Sequence, residues 1–94
     1  LIKTNGLGST LAFIFSKSNS SQAYAALGND LKNWLHNSML NIPNIQNCRN
    51  LELLVYEITK LNSTEYRLVT AEIMAFLNWL RRFADGLIQG ETNG

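Results

Sequence analysis

Three arginines, Arg67, Arg81 and Arg82, stand on one side of the most strongly patterned stretch of the chain, "EYRLVTAEIMAFLNWLRRFADGL" from Glu65 to Leu87. Guanidinium groups repeated along one helix can contact successive phosphates. The alternative is a solvated face with local pairing, since Asp85 lies four residues after Arg81 and three after Arg82. Both readings stand on the sequence alone. Lysines brought in from elsewhere in the chain would assist the phosphate-contacting reading.

No other constellation supports catalysis. The single histidine, His36, has no metal-ligand spacing around it and reads as a helix-surface or partly buried residue. Cys48 is the only cysteine, which excludes an internal disulfide and a thiolate metal cluster; it reads as an inert thiol. Glu52 and Glu57 are five apart, on different sides of a helix, and cannot act as a carboxylate pair. Asn5-Gly6-Leu7-Gly8 lacks the Gly-Lys-Ser/Thr ending and the preceding strand of a phosphate loop. Asn19-Ser20-Ser21 and Asn62-Ser63-Thr64 match the glycosylation pattern but read as a linker and a helix cap. No nucleophile has a visible base, so no enzyme, cofactor, metal or small-molecule substrate is expected.

The elements that position these residues are helical. Apolar residues recur at three and four rather than alternating. Leu7, Leu11, Ile14 and Phe15 form a first stripe, and Leu1 to Asn5 read as the end of a preceding helix. Ser18 to Ser21 is a polar linker whose last residue is a candidate N-cap. A second helix carries Leu27, Leu31, Trp34, Leu35 and Ser38 on one side. The Asn-rich stretch Asn37 to Asn50, with Pro43, is expected as a loop. A third helix follows with Leu51, Leu54, Val55, Ile58 and Leu61.

Asn62-Ser63-Thr64-Glu65 has the layout of a capping box for a fourth helix reaching about Ile88, with residues 89–94 a frayed tail. On a wheel of about 100° per residue, Tyr66, Val69, Ile73, Phe76, Leu77, Leu80, Phe83, Ala84 and Leu87 form its core face. Leu68, Ala75, Trp79 and Gly86 share a flank, read either as a wide core stripe lacking its neighbour or as a docking surface.

The 94 residues are expected to form one all-α domain, a small antiparallel bundle of four to five helices with one core. Eight basic against seven acidic residues give a formal charge of +1. Tight, autonomous, salt-driven nucleic-acid binding is thereby not expected, and any phosphate contact must come from a local patch. No uncharged apolar run approaches the roughly 18 to 20 residues that span a bilayer. The start Leu1-Ile2-Lys3-Thr4 has neither a signal-peptide layout nor an initiator Met. A cytoplasmic protein that begins part-way into a longer one is expected.

Two groups of residues carry a resemblance. Asn5-Gly6-Leu7 followed by Leu11-Ala12-Phe13 is one; Glu65-Tyr66-Arg67-Leu68 with Thr70, then Asn78-Trp79-Leu80-Arg81-Arg82-Phe83-Ala84, is the other and the more specific. In order and spacing they resemble the small helical subunit of type III-B CRISPR effector complexes, the Cmr complexes. The stretch Ser18 to Asn50 is similar only in helical character. The resemblance implies a non-catalytic subunit, several copies of which stack in a minor filament beside the crRNA-bearing subunits and help bind target RNA. It implies Arg67, Arg81 and Arg82 as RNA-facing, with Lys3 and Lys17 as additions. Leu68 and Trp79 become contacts to other subunits, and Tyr66, Phe76, Leu80 and Phe83 become core. In that family a further helix usually precedes the first one seen here. Two other readings stay open: a helical adaptor or dimerisation module without a nucleic-acid role, and the small subunit of the sister type III-A complex.

Overall fold

Among the described residues, apolar residues spaced by three and four fold into five helices around one core. The computed structural model describes the backbone of residues 6–93 and the side chains of residues 6–87. The elements are α1 (Gly6–Ser18), α2 (Gln22–His36), α3 (Pro43–Gln46), α4 (Leu51–Ile58) and α5 (Ser63–Asn93). Among the described residues there is no strand. The all-α bundle of four to five helices is therefore the observed fold. The expected helix end at Leu1 to Asn5 lies outside the described residues, as does Lys3.

The core is assembled from short stripes. Leu7, Leu11 and Ile14 come from α1, Leu31 and Leu35 from α2, Leu51, Leu54 and Ile58 from α4, and Val69, Ile73 and Phe76 from α5. Each buried large apolar side chain stabilises by about 1.5–3 kcal/mol. Gly28 lets α2 approach its neighbours closely: a Cβ there would stand 3.1 Å from Leu51 Cδ2 and 4.0 Å from Ile14 Cγ2. No polar or charged side chain is buried among the described residues.

The helix starts follow from side-chain chemistry. Ser21 caps α2, its Oγ accepting from the Tyr24 amide at 3.4 Å. Asn50 caps α4, its Oδ1 accepting from the Leu53 amide at 2.8 Å. At α5 the capping box is reciprocal. The Glu65 amide donates to Asn62 Oδ1 at 2.8 Å, and the Asn62 amide donates to Glu65 Oε1 at 3.2 Å.

Two expectations are corrected. The stretch from Asn37 to Asn50 is not wholly loop, because Pro43 opens the single helical turn of α3. Ile42 and Ile45 are buried and anchor it. Gln46 clamps it further, Oε1 accepting from the Ile42 amide and Nε2 donating to the Ser38 carbonyl, both at 2.8 Å. His36 adds a bond from Nδ1–H to the Gln46 carbonyl at 3.1 Å, so the lone histidine ties α2 to α3. Asn41 takes the left-handed turn, φ 58°, a conformation asparagine tolerates better than most residues.

The second correction concerns α5. Its 31 residues, about 46 Å at 1.5 Å each, match the long dimension of the molecule, 47 Å. Phe76 is buried and Tyr66, Leu77 and Leu80 pack against the core, as expected. Phe83 does not: it is 53% exposed, and every residue from 81 to 87 is exposed. The apolar stripe keeps its phase past Leu80, but the helix has outrun the shorter helices it packs on. The helical backbone also continues to Asn93, beyond the end expected near Ile88.

Candidate functional site

The candidate residues of α5 occupy distinct faces. At about 100° per residue, Arg67 and Arg81 are separated by about 40° and Arg82 lies about 100° from Arg81. All three are exposed and point away from the Val69–Ile73–Phe76 core face. Arg67 and Arg81 are about 21 Å apart along the axis, so the strip is long and sparse. Arg81 Nε lies 4.0 Å from Asp85 Oδ2, with both side chains mostly in solvent. Such a pair contributes about 0–1 kcal/mol and is easily exchanged for another anion.

Lys17 sits on a different element, at the end of α1, where its ammonium lies 5.6 Å from the centroid of the Phe13 ring. The adjoining Ser18 lines a shallow recess of about 290 Å³ together with Asn29, Lys32, Arg49 and Asn50. Lys32 Nζ donates to the Arg49 carbonyl at 3.1 Å, which holds the two cationic residues side by side. Among the described residues, no acidic one lines this recess. Sequence reading misses Lys32 and Arg49, since they are 17 residues apart on separate elements and only the packing of α2 near the start of α4 unites them.

Leu68 and Trp79 are 49% and 48% exposed. Trp79 is also the centre of an aromatic row. It stacks on Phe83 at 5.6 Å between centroids and on Phe76 at 6.4 Å, and its ring lies 6.0 Å from that of Trp34 on α2. The row thus runs from the buried Phe76 out to Phe83, beyond the bundle. Trp34 packs edge-on to Phe76 at 5.5 Å, and its Nε1–H donates to Glu72 Oε1 at 2.8 Å. Trp34, Phe76 and Trp79 wall an open groove of about 510 Å³ between α2 and α5.

Cys48, the one thiol, is held in an unreactive setting. Cys48 is half-buried; its Sγ donates to the Asn44 carbonyl at 2.9 Å. Burial, and then the charge of Glu57, push the Cys48 thiol above its ordinary range, away from the reactive thiolate. Among the described residues no three His, Cys, Asp or Glu side chains form a metal-binding group. Nor is any helix among them long and apolar enough to cross a membrane.

The family is shown by sequence. The model of the family described as CRISPR-associated protein (Cas_Cmr5) matches residues 1–87. The chain belongs to that family. A curated relative, the CRISPR system Cmr subunit Cmr5 of Thermus thermophilus, is 32% identical over 89 residues. The match covers 95% of this chain and 67% of the relative. No solved structure matches the chain. In this Cas_Cmr5 member the α5 arginines and the Trp79 row both lie inside the matched range.

Proposed function

We propose that the chain is a non-catalytic, cytoplasmic subunit of a type III-B CRISPR effector complex, stacking with further copies of itself and with other Cmr subunits and helping to hold target RNA. The family match over residues 1–87 carries this reading. The surface chemistry supports the division of labour. Arg67, Arg81 and Arg82 supply phosphate contacts on one side of α5, while Leu68 and Trp79 supply apolar area for a neighbouring subunit. A strip of three arginines is weak alone, and the net charge of +1 adds little long-range attraction. Repeated in several stacked copies, the same contacts act on one RNA strand and their effects combine. Lys32 and Arg49 form a second cationic pair that a neighbouring stretch of the same RNA could reach in an assembly, with Lys17 a further cation at the end of α1.

Fluorescence anisotropy tests the reading. The isolated chain binds a target-length RNA negligibly at physiological salt, whereas the assembled complex binds it tightly. Arg67→Glu with Arg81→Glu, in an intact complex, lowers target affinity and flattens its salt dependence. Unchanged affinity and slope would remove the arginines from the RNA path. Failure of the chain to co-purify with other effector subunits and crRNA would remove the subunit role itself.

A further inference from the structure

The groove between α2 and α5 has a chemistry that neither the arginine strip nor a simple apolar contact explains. Trp34, Phe76 and Trp79 form its walls, and Asp30, Asn33 and Glu72 stand at its rim. Asp30 has no cation within ion-pairing distance among the described residues, and neither has Glu72. Glu72 uses Oε1 to accept from Trp34, which leaves Oε2 for an incoming donor and fixes the carboxylate at the groove edge. Trp79 keeps about half its surface open beside it. Two carboxylates beside aromatic walls repel phosphate and attract a cation with an apolar stem.

From this charge and shape complementarity we propose that the groove receives the side chain of an arginine presented by a protein partner. A guanidinium is planar, stacks on aromatic surface, and offers several donors in a fixed fork. Its propyl stem packs on the accessible Trp34 and Trp79 rings while its head meets Glu72 and Asp30. Asn33 on α2 and Asn37 at its C-cap, a turn apart, add side-chain amides at the same rim. Lysine has a compact, strongly hydrated head that would use the rim but not the walls. The proposal gives a partner chemistry to the subunit contact assigned to Trp79, and rests on that assignment only for which molecule bears the arginine.

The test titrates Nα-acetylarginine amide into the 15N-labelled chain and follows the two tryptophan indole resonances, assigned with Trp79→Phe. Both indoles shift saturably in the millimolar range, as a single side chain should bind. Nα-acetylcitrulline amide, the neutral isostere, produces no comparable shift. Glu72→Gln with Asp30→Asn weakens the arginine response at least about tenfold, since the charge-assisted bonds are lost. The glutamine introduced by Glu72→Gln keeps an acceptor for the Trp34 indole and so preserves the fold, and Asp30→Asn alone provides a milder variant. Equal shifts with citrulline, or an undiminished response in the variants, overturn the proposal. So does a uridine oligonucleotide that shifts the indoles where arginine does not, which would make the groove a nucleobase platform. The probe is a single amino-acid derivative, so the outcome is independent of whether the effector complex assembles.

Discussion

The indole Nε1–H of Trp34 donates to Glu72 Oε1 at 2.8 Å, linking α2 to α5 across 38 residues of sequence. Among the described residues it is the one side-chain to side-chain hydrogen bond between the two helices, and it lies at the edge of their apolar contact. A half-buried bond to an ionised acceptor contributes more than a neutral one. Glu72→Ala should lower stability by about 1–2 kcal/mol, because the indole donor loses its partner. Glu72→Gln, which retains a carbonyl oxygen, should lose less than half of that. Urea unfolding at unchanged slope would measure both, and equal losses would show that the charge rather than the bond matters.

Phe76 and Phe83 share the apolar phase of α5 but not its environment. Phe76 is 1% exposed and packed on Trp34, whereas Phe83 is 53% exposed and stacks only on Trp79. Phe76→Ala should destabilise the chain by about 3–5 kcal/mol, the range for a large core truncation. Phe83→Ala should cost below about 1 kcal/mol, the contribution of an exposed aromatic pair. Comparable losses at the two positions would mean that the end of α5 is packed in the free chain.

That contrast marks where sequence stops being informative. Periodicity identifies the face a helix will bury, and it places Val69, Ile73 and Phe76 correctly. It says nothing about whether a neighbour stands opposite, which is why it assigns Phe83 and Leu87 to a core they do not enter. Caps act over three residues, so Ser21 and the Asn62–Glu65 box are legible directly. Asn50 acts in the same way but is hidden in an asparagine-rich run with the composition of a loop. Proximity through the fold is not local at all. The neighbouring Lys32 and Arg49, and the acidic rim around Trp34 and Trp79, follow from helix packing that no spacing rule encodes. The arginine positions on α5 are legible as an exposed strip, since exposure away from a core face follows from the wheel.

The capping box predicts a local effect with a global readout. Asn62 satisfies the Glu65 amide, and Glu65 returns a bond to the Asn62 amide while placing its charge at the positive end of α5. Asn62→Ala should destabilise by about 1 kcal/mol, which in a domain of this size lowers the melting temperature by about 4–8 °C. Asn62→Ser, another good cap, should restore most of that loss. A melting temperature unmoved by Asn62→Ala would show that α5 is held by its packing on α2 alone.

Cys48 gives a pH-dependent prediction. Burial first, and the negative charge of Glu57 second, raise its pKa in the folded chain, and the thiol already donates to the Asn44 carbonyl. The native state therefore holds the thiol proton to higher pH than the unfolded state does. Below the ordinary thiol pKa both states are protonated and stability is unaffected. As pH rises from there through the raised native value, the unfolded chain ionises first and native stability falls. Iodoacetamide, which reacts with the thiolate, should alkylate the native chain more slowly at about pH 8 than the urea-unfolded chain. Glu57→Gln should narrow the difference without removing it, because desolvation is the larger cause. Equal alkylation rates in the two states would mean that the Cys48 thiol is as accessible and as readily ionised in the native chain as in the unfolded one.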